Sequence, residues 1–251
     1  MYTALLSALG VGGATIIGAI LGFSFKKISH SFSDIVMSFA AGVMLAASIV
    51  GLIIPSLEQG DGFFGFLITA LGVFCGAFIV NIADKLLPHL HKFSGIDTEN
   101  HNNKNLSKVL LFVMAIAIHN LPEGIAAGVG FGSGDAHQGL IIAGGIALQN
   151  IPEGMVIISP LLLAGVSKKR TFFIALLTGL VEVVGTMIGY FAIYFSKIIL
   201  PFALAFAGGT MLYIISDEMI PETHAHGSQR GATYALLFGF LLMLALDFFI
   251  G

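Results

Sequence analysis

Charge is scarce in this sequence. Asp, Glu, Lys and Arg make up 10% of its 251 residues, where a soluble domain carries about 25%, so a solvated globular surface is excluded for most of the chain. Cysteine occurs once, at Cys75. That excludes an intramolecular disulfide, and in its apolar run Cys75 reads as an inert packing residue. No basic segment precedes the first apolar run, which therefore reads as a true span rather than a cleavable leader. No His-Glu-x-x-His string occurs, which argues against an intramembrane metalloprotease, whose glutamate base works beside two histidine ligands on one helix. No enzyme is expected. The net charge of −3 says little by itself, and nothing in the sequence suggests nucleic-acid binding.

What remains is apolar. Hydrophobic residues are 57% of the chain and the mean hydropathy is +0.97. They fall into runs of about 18 to 25 residues, enough for a helix to cross a hydrocarbon core roughly 30 Å thick. Helices satisfy their own backbone in lipid. The runs predict eight spans, near 3–23, 34–54, 63–83, 107–130, 138–163, 171–195, 199–219 and 233–250. The expected fold is thus an all-α, multi-pass membrane protein in a lipid bilayer, a single domain over 1–251 with its longest connection at about 84–106.

The eleven basic residues orient it. Lys26, Lys27, Lys85, Lys92, Lys104, Lys108, Lys168, Lys169, Arg170 and Arg230 fall on one side of such a map, and Lys197 alone on the other. The positive-inside rule makes the crowded side cytoplasmic, with both termini outside. His89, His91, His101 and the cluster Asp217, Glu218, Glu222, His224 and His226 then lie on the cytoplasmic side, and Glu58, Asp61, Asp135 and His137 outside.

Two polar signatures interrupt the apolar pattern: His119-Asn-Leu-Pro-Glu-Gly124 and Gln149-Asn-Ile-Pro-Glu-Gly154. On a helix His119 shares a face with Glu123, and Gln149 with Glu153, while Asn120 and Asn150 flank the same glutamates three residues back. Pro122 frees the carbonyl of Ile118 and Pro152 that of Leu148, and the following glycines are expected to loosen the helix. A third acid, Glu182, stands in the sixth span. Imidazole, amide and carboxylate suit Zn²⁺, and Fe²⁺, Mn²⁺, Co²⁺ and Cd²⁺ as well. The lack of a cysteine ligand fits an ion that is released. Three ionised glutamates offset one divalent cation and leave one negative charge, so a second cation or a proton completes the balance.

Phe39-Ala-Ala-Gly-Val-Met-Leu45 in the second span is similar to Phe206-Ala-Gly-Gly-Thr-Met-Leu212 in the seventh. Those two spans run antiparallel, as do the fourth and fifth. That is the pattern of an inverted-repeat transporter with its site near the midplane.

With these motifs the chain resembles the ZIP (ZRT/IRT-like) divalent metal transporters, and within them the bacterial ZupT/GufA-like branch. Gly42-Val-Met-Leu-Ala-Ala-Ser48, Leu87-Pro-His-Leu-His91 and Ser216-Asp-Glu-Met-Ile-Pro-Glu222 carry the same likeness. The resemblance implies a three-plus-two-plus-three helix arrangement, both termini outside, and import of zinc and related ions across the cell's inner membrane. It implies a binuclear centre. His119, Glu123, Gln149 and Glu153 would form one metal position, and Asn120, Glu123, Asn150, Glu153 and Glu182 the second. Asp217, Glu218, Glu222 and His224 would line the exit. The branch commonly has proline after its sixth-span glutamate, where this chain has Val183. A homodimer is left open. The competing reading is a membrane metal-binding sensor or structural protein without transport.

Overall fold

The computed structural model describes residues 2–25, 28–93 and 104–250. Eight long helices account for nearly all of them: α1 (Tyr2–Phe23), α2 (His30–Glu58), α3 (Gly62–Phe93), α4 (Lys104–Gly132), α5 (Ala136–Leu163), α6 (Lys168–Phe195), α7 (Lys197–His224) and α8 (Gln229–Ile250). Seven of them, all but α4, are long and apolar enough to cross a membrane by length and composition among the described residues. The caps are local: Ser29 Oγ accepts from the Phe32 amide, Asp135 from those of His137 and Gln138, and Ser167 from that of Arg170, as short polar side chains do at helix starts.

The spans read from composition lie inside these helices, but the connection at 84–106 shrinks. Helix α3 runs on to Phe93 and α4 begins at Lys104. Apolar composition marks where lipid ends, whereas a helix can continue into water with its backbone bonds intact. The loop's core, including His101, lies outside the described residues. So do Lys26 and Lys27.

Large apolar side chains point outward. Phe63, Phe64 and Phe74 on α3 and Phe248 and Phe249 on α8 are largely exposed, as lipid-facing residues must be. Cys75 is exposed as well, so it stands on the outer surface of α3 rather than packing inside.

Inside, glycine sets the helix spacing. Helix α4 packs on α6, α1 on α5 and α6, α3 on α7, and α2 on α8. At each of the four tightest pairs a glycine of one helix rests on a backbone carbonyl of the other. A Cβ at Gly124 would come within 2.3 Å of the Glu182 carbonyl oxygen, and one at Gly154 within 2.1 Å of that of Thr15. Gly42 meets the Leu236 carbonyl and Gly76 that of Phe206 in the same way. Such small-residue contacts are how helices associate where lipid removes the hydrophobic drive. The two motif glycines therefore do not loosen their helices; α4 and α5 run unbroken through Pro122 and Pro152. Gly154→Ala is expected to destabilise the protein by about 1–3 kcal/mol through overpacking, read as a lower melting temperature in detergent. An unchanged melting temperature would show that the α1–α5 contact is not needed.

Helices α2 and α7 each widen by a residue in mid-course. The turns Ala47–Ile53 and Ile215–Met219 are π-helical, with the Ile54 amide bonding the Ile49 carbonyl and the Ile220 amide that of Ile215. Both wide turns directly precede Ile-Pro, at Pro55 and Pro221. A wide turn relieves the clash between a proline ring and the carbonyl four residues back. The Gly51 carbonyl, freed by Pro55, instead accepts the Gln138 side-chain amide at 3.3 Å.

Candidate metal centre

The two hexapeptides face each other across α4 and α5, with α6 behind them. Asn120, Glu123, Gln149, Asn150 and Glu182 are almost wholly buried, and His119 and Glu153 nearly so. All seven residues singled out from the sequence are thus brought into one interior region.

Glu182 organises one half. Its Oε1 accepts from the Thr15 hydroxyl at 2.7 Å and, very closely, from the Asn120 amide. Its Oε2 accepts from the Asn150 amide at 2.6 Å. The second amide hydrogens of these asparagines go to main-chain carbonyls, of Thr178 from Asn120 at 3.3 Å and of Val11 from Asn150 at 3.2 Å. In the other half, the Gln149 amide donates to Glu123 Oε1 at 2.8 Å. With the nitrogens committed, four oxygens remain: Asn120 Oδ1, Glu123 Oε2, Gln149 Oε1 and Asn150 Oδ1 are buried without a hydrogen-bond partner. A buried oxygen left unpaired costs about 1–3 kcal/mol. Four of them lie in one region, with no basic side chain bonded to them.

Among the described residues no three His, Cys, Asp or Glu side chains converge tightly enough to hold one ion by themselves. The donor set depends on the amide oxygens. Glu182 differs from the other two glutamates in that both its oxygens are already engaged.

One residue placed at the exit by sequence reaches the centre. His119 Nε2 lies 2.8 Å from Glu218 Oε1, joining α4 to the wide turn of α7. The other exit candidates separate. Asp217 accepts from the Tyr213 hydroxyl at 3.3 Å. His224 is tied locally, Nδ1 to the Ile220 carbonyl at 2.8 Å and Nε2 to the Thr233 hydroxyl at 3.2 Å. Glu222 stands 4.0 Å from His226. Of the residues that the charge map puts outside, Glu58, Asp135 and His137 gather with Asp247 around a cavity of about 290 Å³. Ser48 is fully buried and bonds the Leu45 carbonyl within α2.

Thr15 was not foreseen. Its signal was spacing: Gly12, Thr15, Gly18 and Gly22 in α1 repeat the intervals of Gly179, Glu182, Gly185 and Gly189 in α6. Asp247 went unremarked although it is an acid within an apolar span.

Fold and centre together define a multi-pass α-helical membrane protein with a buried, oxygen-rich polar centre. Comparison with known proteins gives its family. The family model described as "ZIP Zinc transporter" matches residues 104–247. The chain is 41% identical to zinc transporter GufA of Myxococcus xanthus over the full length of both. It is 36% identical to zinc transporter ZIPB of Bordetella bronchiseptica, covering all of this chain and 82% of that one. With human zinc transporter ZIP11 it shares 32% identity, over all of this chain and 98% of the other. The chain belongs to the ZIP family.

Proposed function

We propose that this protein imports divalent metal ions, zinc foremost and Fe²⁺, Mn²⁺, Co²⁺ and Cd²⁺ within its chemical range, across the inner membrane into the cytoplasm. It does so as a transporter, not an enzyme. The observation that carries the reading is the set of four unpartnered buried oxygens between α4 and α5. Added to the carboxylates of Glu123 and Glu153 and the His119 imidazole, they give the mixed oxygen and nitrogen donors that borderline divalent ions accept.

Two ion positions sharing Glu123 and Glu153 are the arrangement we favour. His119 and Gln149 complete one, and Asn120, Asn150 and Glu182 the other. Every one of these groups comes from one chain, so the pathway as proposed needs no second copy.

We read the architecture as an inverted repeat with both termini outside. Exchanging α1 with α6, α2 with α7, α3 with α8 and α4 with α5 turns the α4–α6 contact into α5–α1, α3–α7 into α8–α2, and α2–α5 into α7–α4. Each of these pairs packs in the structure. The paired wide turns of α2 and α7 and the shared spacing in α1 and α6 support the same exchange. Alternating access in such folds swaps the two halves' roles around a site near the midplane. The basic side, with Lys168, Lys169 and Arg170, is cytoplasmic in this reading.

Purified protein in liposomes is expected to accumulate radioactive zinc above the level explained by binding, and to release it only when the membrane is breached. Saturable binding without accumulation would instead favour a metal sensor or structural metal protein.

A further inference from the structure

One buried hydroxyl departs from the habit of the others. Thr178, Thr186 and Thr210, buried in α6 and α7, each donate to a carbonyl three or four residues back in their own helix, the ordinary use of a threonine proton there. Thr15 of α1 is 1% exposed and donates instead to Glu182 Oε1, 167 positions away in sequence, at 2.7 Å. The surroundings of Thr15 and Glu182 match contact by contact. The Glu182 carbonyl rests against Gly124 of α4, as the Thr15 carbonyl rests against Gly154 of α5. The Asn120 amide reaches the carbonyl of Thr178, four residues before Glu182, and the Asn150 amide that of Val11, four residues before Thr15. Both asparagines also donate to the one carboxylate. Two like places thus hold one acid and one hydroxyl, and the hydroxyl is spent on the acid.

We infer that Thr15 is the counterpart of Glu182 in the first half of the chain and a positioning residue of the centre. The terminal torsion of a glutamate is soft. Donors from α1, α4 and α5 fix the plane of the Glu182 carboxylate, whereas the two asparagines alone would let it turn. With that plane fixed, each asparagine keeps its nitrogen on Glu182 and its Oδ1 free of any hydrogen bond. Threonine suits the place because it gives a proton without bringing a charge. A second acid at position 15 would compete for the same amide hydrogens and add a fourth negative charge to a membrane interior that holds no basic partner for it. The role, positioning a metal site, rests on the proposed function; the matched surroundings do not.

Equilibrium zinc binding by the full-length chain in detergent tests this. T15V keeps the side-chain shape and removes the hydroxyl. It is expected to bind zinc about 10–100-fold more weakly, the loss that a supporting partner costs at a metal site. T15S, which returns the hydroxyl, is expected to recover most of that affinity. The exchange T15E/E182T moves the acid to α1 and the hydroxyl to α6, and is expected to bind zinc more tightly than E182T alone. Size-exclusion and melting profiles check that each variant is folded, and T15A replaces T15V if valine is not accommodated. Unchanged binding in T15V, or equal losses in T15V and T15S, overturns the positioning role. An exchange that binds no better than E182T overturns the equivalence of the two places. A parent chain that binds no zinc overturns both. If the parent binds zinc but does not accumulate it in liposomes, transport fails and the comparison of variants stands.

Discussion

Zinc uptake by Glu123→Ala protein in liposomes is expected to fall at least about 100-fold. Glu123 presents one oxygen to the Gln149 amide and leaves the other buried without a partner. Removing it takes away a charged ligand that both proposed ion positions share, whereas loss of a merely supporting partner already costs about 10–100-fold at a metal site. The variant also strands the Gln149 amide, at about 1–3 kcal/mol, which the helix contacts elsewhere can absorb. The test is therefore initial uptake rate at equal amounts of monodisperse protein. Uptake within tenfold of the parent would place the ion path elsewhere.

The second large effect needs no change of size. Glu182→Gln is expected to lower uptake more than about tenfold while the protein stays folded. In the parent, three donors converge on two carboxylate oxygens, from Thr15, Asn120 and Asn150. A glutamine amide replaces one oxygen with a donor. An asparagine amide facing it must then flip, which turns its nitrogen toward the ion region and removes a ligand oxygen. A charge-assisted bond, which contributes about 1.5–3 kcal/mol, is weakened at the same time. Glu182→Asp, which keeps both oxygens, is expected to retain more uptake than the glutamine variant. If Gln and Asp behave alike, neither the charge of Glu182 nor its pair of acceptor oxygens governs uptake, and the orienting role fails.

Much of the centre could be read from spacing, because helical geometry alone puts Glu123 beside His119 and Glu153 beside Gln149. What spacing cannot tell is which way an amide points. Asn120 and Asn150 expose oxygen rather than nitrogen only because Glu182, 62 and 32 residues away in sequence, takes their hydrogens. The charge map and the family likeness put Glu218 with the cytoplasmic cluster at the exit. The wide turn at Ile215–Met219 shifts the helix phase, a change no regular 3.6-residue pattern anticipates, and Glu218 turns toward His119.

The glycine contacts have a mechanical side. They weld the molecule into two quartets: α1, α4, α5 and α6 in one, and α2, α3, α7 and α8 in the other. Backbone touches backbone within each quartet, so little can slide there. The quartets meet mainly along α2 with α5 and α4 with α7. Any motion that keeps the glycine contacts must run along that seam. The seven central side chains all ride on the first quartet, whereas Glu218 belongs to the second. The His119–Glu218 contact is then a latch across the seam, tying the centre on one solid piece to the other.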